Sequence, residues 1–294
     1  MPRPRAESGQ ATVLFALAAV ALLSVASLSL DAGRAYVKTQ QLKSAADAAA
    51  LAGGQLLPQD PAAAAATAIA TAAQNGVPSQ DVTVQIGQQD NEITVTASSG
   101  INYYFAALFG VPHGNLHATS AVEVGPISQV TGAVPLGVVW NNFQYGQTYR
   151  LKDGGGEGSD GNYGGLALGG NGADTYQSNL EDGYQTLLQV GQEIETEPGT
   201  MTGPTEQGLA ARITAGDGYS WQTVPPNSPA VVDVPIISDP GNGRSDVTVL
   251  GFAAFFLTSA DCSGDVQGVF LNAVTSGEIG SGQSYGLQAE RLVQ

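Results

Sequence analysis

Residues 11–30 (ATVLFALAAVALLSVASLSL) carry no charge and are mostly apolar, and no other stretch constrains the chain as strongly. As a helix such a run rises about 30 Å, the thickness of a bilayer's hydrocarbon core. Ala11, Leu14, Phe15, Leu17, Val20, Leu22, Leu23, Val25, Leu28 and Leu30 are the side chains expected to face lipid. Ser24, Ser27 and Ser29 weaken the run without excluding insertion, because a serine hydroxyl can bond back to its own helix backbone. The chain then continues as DAGRAYVKTQQLKSAADAAALAGG, an Ala-rich segment expected to prolong the helix over residues 31–57, up to Pro58. A cleavable signal peptide is the rival reading, with Arg3 and Arg5 as its basic end and Ser24-Val25-Ala26 as a small-x-small site. Against it, the run exceeds the usual apolar core of about 7–15 residues. Both readings put the body outside the cytoplasm. Residues 250–257 (LGFAAFFL) are too short to span and read as a buried strand.

Charge narrows the partners. The formal net charge is -16, and half of the ten basic residues lie at or before Lys43. Beyond residue 50 only Arg150, Lys152, Arg212, Arg244 and Arg291 remain. Such a surface lacks the clustered Lys and Arg that a phosphate backbone requires, so nucleic acid is excluded as a partner. Lys and Arg on the two sides of the apolar run do not decide its orientation, and a body this long translocates largely regardless of them. The one cysteine, Cys262, can form no intrachain disulfide and reads as a small buried hydrophobe.

Three segments follow the apolar run. In residues 31–57, Leu42, Ala45, Ala49, Ala52 and Leu56 form a stripe of mostly small side chains. That stripe suits either close approach of a partner helix or packing on the protein's own sheet, the commoner use of an amphipathic face. Residues 58–126 read as a small α+β module. Asp60-Pro61 opens a helix that Asn75-Gly76 closes; strands are expected over 82–86, 93–97 and 117–124, with a short helix over 103–109. Residues 127–294 are Gly-rich and mostly β, with strands expected over 133–140, 148–151, 230–237, 247–257 and 266–274, and helices over 175–188 and 205–213.

The chemistry is sparse. His113 and His117 lack a third ligand for zinc, and no HExxH or CxxC pattern occurs. Gly282-Gln-Ser-Tyr-Gly286 matches the nucleophile-elbow pattern, yet no histidine follows Ser284. Residues 156–161 match GxGxxG without the strand and helix that a dinucleotide site needs. Asp153, Glu157, Asp160, Asn162 and the nearby Asp174 offer oxygens for calcium, but in no EF-hand spacing; a solvated turn is the simpler reading. No catalytic residue, cofactor or metal site is therefore assigned.

Three motifs carry a family resemblance: Ser8-Gly-Gln-Ala11 before the apolar run, Leu30-Asp-Ala-Gly-Arg34 after it, and the block from Gln40 to Gly53 that contains AADAAALAG. Together they resemble the TadE/TadG-like family of Flp (tight adherence) pilus-assembly proteins over roughly the first 57 residues. The resemblance implies a single transmembrane helix continuing into a juxtamembrane helix, a pilin-like α+β module and an exported body, here followed by the mostly β region. It implies an N-terminus inside the cytoplasmic membrane, with residues 1–10 cytoplasmic. It also implies partners among the lipid bilayer and other pilin-like or pilus-assembly membrane proteins, and no enzymatic activity. Leu14 stands where processed pilins carry Glu, so standard pilin processing is not implied, and no DxSxS motif supports a von Willebrand-type metal site. The alternative is an anchored or secreted surface-binding module unrelated to pili, using Trp140, Phe143, Tyr145, Tyr149 and Trp221.

Overall fold

The computed structural model describes residues 8–151, 163–197, 199, 201–240, 245–261 and 263–293. Cys262, Lys152 and the loop holding Asp153, Glu157, Asp160 and Asn162 lie outside them. Helix α1 (Ser8–Gly54) is unbroken from the apolar run to the Ala-rich block. Ala and Leu, the strongest helix formers, dominate it. Ser24, Ser27 and Ser29 donate to the carbonyls of Val20, Leu23 and Val25 at 2.8, 2.6 and 2.9 Å, so their hydroxyls are satisfied within the helix. The helix closes at Gly53-Gly54, short of Pro58, where Leu56 and Leu57 donate to the carbonyls of Gly53 and Gly54 in tighter turns. Helix α2 (Pro61–Gln74) starts on the Asp60 cap, whose carboxylate accepts the Ala63 N–H at 2.8 Å.

Strands β1 (Val82–Ile86), β2 (Glu92–Asn102) and β3 (His113–Pro126) form an antiparallel meander. Ile93, Val95 and Ala97 of β2 turn inward at every second position, and α1 and α2 cover that face. The third strand begins four residues before the expected 117, because β2 and β3 stay paired out to Asn102 and His113.

The rest of the chain supplies β4 (Gln129–Val130), β5 (Leu136–Val139), β6 (Thr148–Arg150), β7 (Tyr163–Gly165), helix α3 (Ala173–Asp182), β8 (Leu188–Gln189), β9 (Glu193–Glu195) and helix α4 (Thr202–Ala215). It ends with β10 (Val231–Ile237), β11 (Asp246–Ala260), β12 (Val266–Leu271), β13 (Ala273–Ser276) and β14 (Leu287–Val293). A second sheet runs β6-β12-β11-β10-β5-β7, with β9 pairing the start of β11. Its centre, β11, holds the LGFAAFFL run. Phe255 and Leu257 face α3 and α4 through Leu180 and Leu209, whereas Phe252 and Ala254 face Leu166, Leu168 and Ile237. A strand buried on both faces has no reason to alternate apolar with polar. Helix α3 ends at Asp182, ahead of the expected 188. Gly183 there has a φ of 78°, and a Cβ on it would stand 2.4 Å from the Gly132 carbonyl oxygen.

Two C-terminal strands return to the first sheet, giving the order β1-β2-β3-β14-β13. β14 pairs antiparallel with β3 from Gln288↔Pro126 to Val293↔Ala121, and Arg291 bridges Glu123 at 3.0 Å. The two sheets are thus tied by the chain crossing between them in both directions.

Candidate functional site

The outer half of α1 is a bare apolar rod. Ala11, Leu14, Phe15, Leu17, Val20, Leu22, Leu23, Val25, Leu28 and Leu30 are all exposed, and its most apolar window has no buried residue. A continuous apolar surface of this extent is not a resting state in water; it marks a membrane or protein contact.

The inner half is the opposite. Leu42, Ala45 and Ala49 are buried, and Ala52 and Leu56 are half-buried. Leu42, Ala45, Ala49 and Leu56 share a core with Ala46, Ala50, the α2 residues Ala64, Ala68 and Ala72, and the sheet residues Ile93, Val95 and Val122. Methyl-sized side chains let the two helices and the sheet meet at backbone distance. The tightest point is Gly53, where a Cβ would lie 2.5 Å from Ile93 Cδ1 and 2.9 Å from the Ala64 carbonyl oxygen.

Between the halves sits a polar fastener. Asp31, the first residue after the apolar run, is 3 % exposed. Its Oδ1 accepts the Tyr104 N–H at 3.0 Å, and its Oδ2 accepts the N–H groups of Phe105 and Ala106, each at 2.8 Å. Arg34, one turn on, approaches Asp31 at 3.9 Å, donates to the Asn102 carbonyl at 3.1 Å and lies 4.0 Å over the Tyr104 ring. Burial raises the Asp31 carboxyl's pKa, but the three backbone donors and Arg34 outweigh it and hold the group below the usual carboxylate range. The fastener therefore persists through neutral pH and releases only when acid protonates Asp31 below that range. Asp31→Ala should speed amide exchange at Tyr104, Phe105 and Ala106 roughly 10- to 100-fold, since each loses a charge-assisted acceptor. Hydrogen–deuterium exchange read by mass spectrometry checks this, and an unchanged rate would remove the fastener from the description. Beside it, α1 and the end of β2 enclose a cleft of about 780 Å³ that includes Leu30, Gly33, Val37 and Ile101.

Among the described residues the body shows no comparable arrangement around the sequence-predicted candidates. Among the described residues no group of three or more His, Cys, Asp or Glu could hold a metal. His113 and His117 are exposed on β3, far in the fold from Ser284, whose hydroxyl accepts the Gly286 N–H at 3.5 Å. Of the aromatics proposed for surface binding, Trp140, Phe143 and Tyr149 pack with Phe270; Phe143 and Phe270 stack at 4.6 Å between ring centroids. Tyr145 and Trp221 stay exposed.

A second cleft, of about 450 Å³, contains Arg212 and Asp233. Arg212 donates to the carbonyls of Leu180 at 2.6 Å and Pro229 at 3.0 Å. Burial pushes the Asp233 carboxyl up to about 6, with the Arg212 guanidinium pulling the other way. Between about pH 4 and 6 the folded protein holds a proton there that the unfolded chain has released, so stability falls as pH rises through that window. Asp233→Asn should flatten this dependence and raise the unfolding free energy near neutral pH by about 1–2 kcal/mol, less than the whole shift because the cleft admits water. Urea titrations on the two sides of the window measure it.

Residues 9–56 match the family model for putative Flp pilus-assembly TadE/G-like proteins. The match covers α1 from the start of the apolar rod through the Ala-rich block and its terminal glycines, and it points to Flp pilus assembly. That family is generally non-enzymatic. No curated protein and no solved structure matches the chain.

Proposed function

We propose that this protein is a non-catalytic cell-envelope component of a Tad/Flp-type pilus-assembly system. Residues 11–30 cross the cytoplasmic membrane once, with the N-terminus inside and the body extracytoplasmic. The bilayer and other pilin-like or pilus-assembly membrane proteins are its partners. The observation that carries this reading is one uninterrupted helix, bare and apolar at one end and built into the body at the other, coinciding with the family match. A rigid helix fixed to a sheet transmits position from the membrane to the body, which is a scaffold's task rather than an enzyme's. Leu42, Ala45, Ala49, Ala52 and Leu56 serve internal packing, which leaves residues 11–30 for lateral contacts in the membrane.

The body comprises two units on this reading. Residues 31–126 with β13 and β14 make the membrane-proximal one, and the intervening Gly-rich region makes the distal one. Deleting the gene should abolish or strongly reduce surface pili and adhesion, restored by the full chain but not by a chain lacking residues 11–30. Electron microscopy of the deletion strain reads this directly, and normal piliation there would refute the proposal.

A further inference from the structure

The β2–β3 hairpin carries its own apolar tip, residues 103–112 (YYFAALFGVP), with no charged side chain. Leu108 is 81 % exposed, Tyr104 and Phe109 66 % and Val111 51 %. For a loop in water this is a poor surface: Leu108, Phe109 and Val111 lie open to solvent, and Tyr104 carries Arg34 over its ring.

The hairpin's direction places the tip. β2 starts beside the inner end of α1, where Ile93 meets Gly53, and ends beside its outer part, where Asn102 meets Arg34. The nine residues from Ile93 to Asn102 span about 30 Å of strand. The nineteen from Gly53 back to Arg34 span about 28 Å of helix. The strand therefore runs alongside the helix toward the apolar rod, and the tip arrives level with Asp31, one residue from the end of the rod.

The tip's backbone is also prepared for a dry setting. Tyr104, Phe105 and Ala106 give their N–H groups to Asp31. Those of Tyr103, Leu108, Gly110 and Val111 go to the carbonyls of Pro112, Phe105, Ala107 and Ala106 at 3.0–3.1 Å. Backbone donors satisfied internally carry little desolvation penalty when a segment leaves water.

We propose that residues 103–112 form a second membrane contact: an apolar paddle that rests in the bilayer interface next to the point where α1 emerges, held there by Asp31. Leu108, Phe109 and Val111 enter the boundary between headgroups and acyl chains, and Tyr104 sits at headgroup level under Arg34. One helix alone lets the body swivel about its axis; a second, off-axis contact fixes the body's rotation and tilt. This inference rests on the reading of residues 11–30 as a membrane span.

The test uses the full chain reconstituted in phosphatidylethanolamine–phosphatidylglycerol vesicles, with and without lipids brominated on the upper acyl chain. Single variants Phe109→Trp, Leu22→Trp and Tyr219→Trp are compared with the wild-type chain, whose Trp140 and Trp221 set the baseline. Far-ultraviolet circular dichroism confirms that each is folded. The indole added at Phe109 should emit to the blue and lose roughly half its emission to brominated lipid, as expected at about 5–10 Å depth. That at Leu22 should also be quenched, and that at Tyr219 should not. Quenching at Leu22 without quenching at Phe109 overturns the paddle and leaves the span standing. A blue-shifted but unquenched indole at Phe109 also overturns it, in favour of contact with another protein. Loss of quenching at both positions defeats the span itself, and the paddle with it.

Discussion

A chain carrying Val20→Arg and Leu22→Arg together should leave the membrane fraction. Both positions lie near the middle of the apolar rod, where each Arg costs about 2.5–3.5 kcal/mol of insertion free energy. Two of them remove about 5–7 kcal/mol, enough to reverse insertion of a helix already weakened by three serines. Nothing inside the molecule compensates, because neither side chain packs against the body. The matched control is Tyr36→Arg, equally exposed on the same helix but five residues past Asp31, which should stay with the membrane. Carbonate extraction and flotation of vesicles measure the partition. Retention of the double variant in the membrane would mean that something other than residues 11–30 holds the protein there.

Gly53→Leu should cost about 3 kcal/mol, at the upper end for overpacking. The first added carbon alone would lie 2.5 Å from Ile93 Cδ1 and 2.9 Å from the Ala64 carbonyl oxygen. Ile93 could turn aside, but the carbonyl belongs to helix α2 and moves only if that helix moves. Ala68 Cβ at 3.2 Å closes the third side. The same helix supplies the opposite case in Gly33, where nothing lies within 4 Å of the place an added methyl would take. Gly33→Ala should therefore stabilise by about 0.5–1 kcal/mol through helix propensity alone. Urea unfolding in detergent micelles, followed by circular dichroism, compares the pair. Equal effects at both sites would mean that α1 and α2 do not meet as closely as described.

These two expectations mark two kinds of legibility. The apolar rod was readable because membrane crossing depends on local composition and length, both written in consecutive residues. The Asp60 cap, the hairpin strands and the mostly β character of the body were readable for the same reason: their signals lie within a few residues. Asp31 escaped notice. An acid placed directly at the end of an apolar run was a visible signal, but its partners are 73–75 residues away and are backbone amides, which no side-chain pattern announces. Residues 103–109, most of the exposed tip, read as a short helix and gave only a tight 3-10 turn, Ala106–Phe109, with Leu108 and Phe109 exposed. The aromatics offered for surface binding divided by packing: Trp140, Phe143 and Tyr149 went to the core because Phe270 of β12 meets all three and is itself packed against Phe255 of β11.

By itself the sequence determined an apolar helix of membrane length, its continuation as a small-residue helix, and an acidic body with little catalytic inventory. Periodicity and composition suffice for these, since each follows from forces acting along the chain. Only the tertiary structure decided which surface the small residues serve, that the C-terminal strands close the first sheet, and that Asp31 fastens a hairpin tip beside the end of the rod. Those outcomes depend on contacts between residues far apart in sequence, where close packing and backbone hydrogen bonding select the arrangement.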